Sequence, residues 1–231
     1  MATNIRFHNR GARRAEIWLY DEVGESYFGG GMSAKTFAEQ LTALGQVDSI
    51  NLRINSPGGS VFDGLSIYNT LKRHPARIDV DIDGIAASIA SIIAMAGDSI
   101  NIAANGMLMI HDPHGVVMGN SVDMRKTADV LDQVKQSLVD TYVARTALKA
   151  SDVAEMMKEE TWMTADDAVR LGFADRTTEM QRIAAHFDFS QFRNVPKRLT
   201  VRDNAPATPA RDIAAVRLAA NEQKLAGRIP A

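Results

Sequence analysis

One serine and one histidine stand where a nucleophile and its base could meet. Ser88 lies in Gly84-Ile85-Ala86-Ala87-Ser88-Ile89-Ala90-Ser91, and the stretch from Ile85 to Gly97 carries no charged side chain. Such a stretch suits a helix buried on most sides, expected here over 86–97. In the first turn of a helix the unsatisfied N–H groups and the positive end of the dipole favour the negative charge that develops when an oxygen attacks a carbonyl. Ala86 and Ala87 are small enough to admit a substrate backbone. The same position also suits a serine that does no more than cap a helix, and residue type alone leaves both open. Ser91, one turn on, reads as a packed hydroxyl.

About thirty residues earlier runs Asn55-Ser56-Pro57-Gly58-Gly59. It ends a strand, Ser49 to Asn55, that alternates apolar and polar residues. It precedes a helix expected over 60–73, with Val61, Phe62, Leu65, Tyr68 and Leu71 on its apolar side. Two glycines after a proline reach backbone conformations closed to other residues and leave no side chain between a peptide N–H and a ligand. The junction could present donors to an oxyanion, or be an ordinary tight turn.

A serine is a weak nucleophile at neutral pH and needs a positioned base. The histidines are His8, His74, His111, His114 and His186. Residues 99–104 read as a strand, Asn105-Gly106 as a hairpin turn, and Met107-Leu108-Met109-Ile110 as the return strand delivering His111 at its end. His114, past Pro113, reads as exposed in a loop.

The segments Ile54 to Gly59, Gly84 to Ser88 and Met109-Ile110-His111-Asp112-Pro113 resemble, in order and spacing, the motifs of the Clp protease proteolytic subunit (ClpP), over about Ile17 to Asp175. Ser66-Ile67-Tyr68-Asn69 and Glu160-Thr161-Trp162-Met163-Thr164-Ala165-Asp166-Asp167-Ala168 look more closely like the ClpP-related head maturation proteases of tailed phages and prophages. The resemblance implies the ClpP/crotonase-like α/β spiral of repeated β-β-α units. It makes Ser88 the nucleophile, His111 the general base, and the backbone N–H groups of Gly59 and Ile89 the oxyanion hole. It puts Glu160 at the position of the third triad member, where ClpP has aspartate. Asp112 and a bare Ser-His dyad stay open as alternatives, and Lys158-Glu159-Glu160 can equally be a solvated charge run. The implied activity is that of a serine endopeptidase cleaving capsid or scaffold proteins. The resemblance also implies a homo-oligomer, with a ring in the manner of ClpP as one form, in the host cytoplasm within or on the assembling procapsid.

Other classes fit less well. A crotonase-type acyl-CoA enzyme shares the paired N–H groups but does not use a Ser-His pair. A non-catalytic scaffold subunit has no need of one. A housekeeping ClpP working with an unfoldase is the nearest rival, and the short N-terminal segment and basic tail depart from that pattern.

The composition allows one sizeable core: 231 residues, 45% hydrophobic. A net charge of −2 gives no reason to expect a nucleic-acid partner. No cysteine is present, which excludes disulfides and thiolate chemistry. No metal-ligand spacing, bilayer-spanning run or signal peptide is recognisable, so no metal, cofactor or membrane is expected.

Alternating strands and helices predict an α/β fold: a strand near 15–23, helix 34–44, strand 49–55, helix 60–73 and strand 77–83. Gly29-Gly30-Gly31 reads as a flexible turn. Residues 121–148 form a long amphipathic helix, which in ClpP-like proteins meets a second ring, or which packs internally. Thr164 is the expected N-cap of a later helix, with Asp167 at the capping-box position and Gly172 as its stop. The expected organisation is an N-terminal segment 1–14, a protease domain 15–180 and a tail 181–231. The tail holds nine Lys/Arg against four Asp/Glu and four of the seven prolines. Within it, 203–210 reads as a linker, and 211–225 as either a short helix or part of a disordered tail.

Overall fold

Each parallel step in the main sheet is made through a helix or a short jog. The chain begins with strands β1 (Ile5–Asn9) and β2 (Arg14–Leu19), the short pair β3 (Gly24–Glu25) and β4 (Gly31–Met32), and helix α1 (Ala34–Ala43). Next come β5 (Ser49–Ser56), α2 (Val61–Arg73), β6 (Arg77–Ala87), α3 (Ile89–Ala94), β7 (Ser99–Ala103) and β8 (Met107–Ile110). They are followed by α4 (Ser121–Thr146), α5 (Ala150–Lys158), β9 (Thr161–Thr164), α6 (Ala165–Arg170) and β10 (Arg176–Thr178). This computed structural model describes residues 5–11, 13–25, 31–180 and 187–200. Gly29, Gly30 and the expected linker and helix at 203–225 lie outside them. Met1–Pro196 form one compact unit, while the helical turn α7 (Lys197–Thr200) belongs to a second.

The sheet runs β1-β2-β5-β6-β7-β10, with β8 pairing both β6 and β9. It is the α/β architecture that the alternation of elements predicts. Ile50, Leu52 and Ile54 of β5, Val80 and Ile82 of β6, and Ile100 and Ile102 of β7 are fully or almost fully buried. Each such side chain stabilises by roughly 1.5–3 kcal/mol relative to exposure. The opposite face is polar: Asn51 and Asn101 donate to the two oxygens of Asp81, at 2.8 and 2.6 Å, and Arg53 donates to Asp83 at 2.6 Å. None of the described helices is long and apolar enough to cross a membrane.

Three local expectations need correcting. First, Asn105-Gly106 is not a hairpin turn. Both β7 and β8 run parallel to β6, β7 alongside Asp79–Ile82 and β8 alongside Ile85–Ala87, so the chain jogs between them and keeps its direction. Local turn chemistry suggested a reversal, but both flanking strands find a parallel partner in β6. Second, the buried helix starts later than 86, because β6 continues to Ala87 and α3 covers only Ile89–Ala94. Third, the strand expected near 15 is not the first: β1 precedes it and pairs antiparallel with β2.

Candidate active site

The register of the sheet brings Ser88 to His111. Ala87 pairs with Met109 in parallel, so Ser88 follows the end of β6 while His111 follows the end of β8 on the same side. The Ser88 N–H donates to Met109 O at 3.0 Å and ties the two strand ends together. The Ser88 hydroxyl and His111 Nε2 are 2.7 Å apart. The C-terminal edge of parallel strands is where ligands bind in open α/β sheets.

Ser88 stands at the N-cap position of α3 but caps nothing: its side chain makes no cap hydrogen bond, and its φ of 54° and ψ of −130° lie outside the usual regions for an L-residue. Several contacts hold that conformation. Ser91 donates its hydroxyl to Ser88 O at 2.6 Å and lies 2.8 Å from the hydroxyl of buried Tyr142 on α4. Ser91 therefore fixes the turn, beyond the packing role read from sequence. Gly64 lets α2 approach α3 closely, since a Cβ there would lie 2.1 Å from Ile89 Cγ1.

The Pro57-Gly58-Gly59 turn closes over the same point. A Cβ on Gly58 would fall 2.7 Å from Ser88 Cβ, and Gly58 and Gly59 have φ of +98° and +143°. Ser56 accepts from the Gly58 N–H at 3.2 Å and donates to Asp21 O at 2.7 Å. The bridge to Val23 uses Gly58 O and the Ser60 N–H and leaves out the Gly59 N–H. The Ile89 N–H is the first of α3 and has no acceptor within that helix. Pro57, Gly59, Ser88, Ile89 and His111 share the wall of a cleft of about 190 Å³.

Glu160 is adjacent to His111 by register. Ile110 pairs with Thr161 across the antiparallel β8–β9 ladder, so the next residue outward on each strand is His111 on one and Glu160 on the other. Glu160 is not part of a solvated charge run: it is 3% exposed and turns inward on a φ of 51°. Its carboxylate accepts from the Trp162 indole at 3.1 Å and from the backbone N–H groups of Asn194 at 2.6 Å and Arg193 at 2.9 Å. Among the described residues no hydrogen bond joins it to His111. Burial works to raise its pKa, but the Arg193, Asn194 and Trp162 donors and His111 bring it below the usual carboxylate range. Asp112 is engaged elsewhere, with Lys135 Nζ at 2.8 and 2.9 Å from its two oxygens.

Burial, followed by the neighbouring His114, pushes the His111 imidazole down to about 4; Arg193 acts in the same direction, while Glu160 and Asp112 oppose it. At neutral pH the ring is therefore uncharged and its Nε2 can take the Ser88 proton. His114 is exposed, as expected, but its ring stands edge-on to His111 at 5.3 Å. Among the described residues no group of three His, Asp or Glu side chains could hold a metal ion.

Sequence reasoning missed what covers the cleft: Gln191 and Phe192 line it, and Phe192 packs edge-on to His111 at 5.6 Å. A signal was present, because Phe187, Phe189 and Phe192 are three of the eight phenylalanines in the chain.

A hydroxyl on a strained turn, bonded to an uncharged imidazole at the mouth of a cleft, is the arrangement used by serine-type hydrolases. The chain belongs to the Clp protease family, a family of serine-type peptidases, whose model matches residues 6–181. It is similar to the ATP-dependent Clp protease proteolytic subunit 3 of Rhodococcus jostii (strain RHA1), at 33% identity over 75% of this chain and 86% of that protein. It is also similar to the proteolytic subunit 1 of Leifsonia xyli subsp. xyli (strain CTCB07), at 32% identity over 73% of this chain and 85% of that protein. A third relative is the proteolytic subunit of Bacteroides fragilis (strain YCH46), at 33% identity over 62% of this chain and 67% of that protein.

Proposed function

We propose that this chain is a serine endopeptidase in which Ser88 is the nucleophile and His111 the general base. The observation that carries the proposal is the 2.7 Å contact between Ser88 Oγ and His111 Nε2. As Ser88 Oγ bonds to the scissile carbonyl carbon, Nε2 takes its proton, and the Gly59 and Ile89 N–H groups receive the charge on the carbonyl oxygen. Collapse of the tetrahedral intermediate breaks the C–N bond while His111 returns the proton to the leaving amine. Water, deprotonated by the same nitrogen, then releases the acyl group. Glu160, one register step from His111, supplies negative charge that stabilises the imidazolium formed in between. A crotonase-type reaction would leave the Ser-His contact without a role.

The substrates we propose are capsid or scaffold proteins cleaved during phage head maturation by a homo-oligomer, a ring like that of ClpP, in the host cytoplasm. The Ser66–Asn69 and Glu160–Ala168 signatures support this substrate class. The names of the relatives favour a second reading, action as the proteolytic subunit of an ATP-dependent protease. Co-expression with a candidate capsid protein separates the two. Processing by the wild type, absent with Ser88→Ala and independent of any unfoldase, supports the maturation role. No processing unless an ATPase is supplied supports the second reading.

The low basicity of His111 has a kinetic consequence. Phosphonate labelling of Ser88, which needs the uncharged ring, should stay level from about pH 8 to about pH 5.5. It should fall only as His111 protonates, with half-effect near its pKa of about 4. The sign follows from burial: protonation removes the base, and burial moves protonation to lower pH. The check is the labelling rate against pH with far-UV dichroism followed in parallel. Half-effect near the ordinary imidazole value of about 6.5 would contradict the expectation.

A further inference from the structure

We propose that Glu160, Trp162 and the His111 ring form a binding site for a turned peptide segment, and that its occupant is the chain's own residues 187–194, which compete with substrate for the cleft. The inference rests on the reading of Ser88 and His111 given above.

The segment is recognised mainly through its backbone. Two consecutive N–H groups, those of Arg193 and Asn194, donate to the Glu160 carboxylate. Outside this pair, Asn194 Nδ2 donates to Glu159 O at 2.7 Å and the Arg193 guanidinium to Lys158 O at 3.1 Å. Ahead of them Phe192, 7% exposed, stands edge-on to His111 at 5.6 Å and to Trp162 at 5.7 Å. Phe189 adds a second edge contact to Trp162 at 6.1 Å. These are the marks of a peptide-binding groove: an aromatic anchor in a ring-lined seat, and main-chain donors brought to one side by a turn in which the Phe192 N–H donates to Phe189 O at 3.0 Å.

Three observations point to a displaceable occupant and away from a plain core contact. The segment lies past residue 181, where the match to the Clp protease family ends. It covers a proton acceptor and a buried carboxylate rather than a purely apolar face, and it brings its own cation, with Arg193 Nε 3.9 Å from that carboxylate. Gln191 and Phe192 also line the same cleft as Ser88, so substrate and segment cannot both fill it. When the segment leaves, Glu160 loses two donors, and His111 is its register neighbour across β8 and β9. The groups facing His111 are then Glu160 and Asp112, which favour its charged form, and His114, which opposes it.

The test uses the full chain with Phe192→Ala and Asn194→Pro, the second of which removes a donor to Glu160. Labelling of Ser88 by a fluorophosphonate should rise about tenfold or more, because a buried aromatic anchor and a hydrogen bond to a charged group each shift such an equilibrium by that order. The acid limb of the labelling profile should move to higher pH as His111 is uncovered. A synthetic peptide of residues 187–196 should slow the variant again, whereas the same peptide with Phe192→Ala should not. Equal labelling rates in the two proteins, with no effect of the peptide, would overturn the proposal. If neither protein labels, the reading of Ser88 fails, and fluorescence anisotropy of the labelled peptide on the variant decides the site alone. Saturable binding displaced by unlabelled peptide supports it, and no binding overturns it. Should the proline variant melt early, Phe192→Ala with Asn194→Ala, which removes the aromatic anchor and the Asn194 Nδ2 bond to Glu159 O, is expected to show the same rise in labelling, and no rise would overturn the proposal.

Discussion

Ser88→Ala is expected to lower kcat/KM for a fluorogenic peptide by about 10⁴-fold or more, His111→Ala to do nearly the same, and the double variant to be no worse than either. Non-additivity follows from the geometry. With the two atoms 2.7 Å apart, each group depends on the other. The hydroxyl without the imidazole keeps its proton, and the imidazole without the hydroxyl has no nucleophile to activate. Activity left in the double variant would come from the backbone donors and binding alone. Steady-state kinetics on the four proteins, each checked by thermal melting, decides it. Losses that multiply would mean that the two side chains act independently.

Gly59→Ala is expected to have the second-largest effect, and on stability as well as rate. A Cβ there would sit 2.1 Å from Val23 O, the carbonyl that accepts from the Ser60 N–H at 2.7 Å. The backbone also holds a φ of +143°, which costs a side-chain-bearing residue about 1–3 kcal/mol before any clash. Overpacking adds about as much again. The turn must shift, and with it the N–H of Gly59 on the cleft wall, so kcat should fall on the order of 100- to 1000-fold, as for the loss of one oxyanion donor. Denaturant unfolding and kcat measured on the same preparation give both numbers. A stable variant with unchanged kcat would remove Gly59 from the mechanism.

How much of this was legible depended on whether the signal was local. The alternation in Ser49–Asn55 gave β5 to within one residue, because each apolar side chain there points into one core. The motif residues Ser88 and His111 were found by type and order, and the structure places them side by side. Ala86 and Ala87 fall in the helix expected over 86–97, but an apolar run of small residues fits a buried strand as well as a buried helix. Here pairing with Met107–Met109 decides for the strand. Glu160 was misleading in a different way. Its neighbours Lys158 and Glu159 are charged and suggest solvent, but a left-handed turn at Glu160 itself folds the carboxylate under residues 193–194. Nothing local announces that contact. The basic composition after Met180 likewise concealed Phe189 and Phe192, whose seat on Trp162 exists only once β9 is paired.

The most direct measurement is mass spectrometry of the chain after reaction with a fluorophosphonate, done on the wild type and on the Phe192→Ala, Asn194→Pro form. The expected result is a single adduct, mapped by peptide digestion to Ser88, formed by both proteins and abolished by His111→Ala. No adduct in either folded protein, or an adduct on another residue that survives Ser88→Ala, would contradict the assignment of the nucleophile and everything built on it.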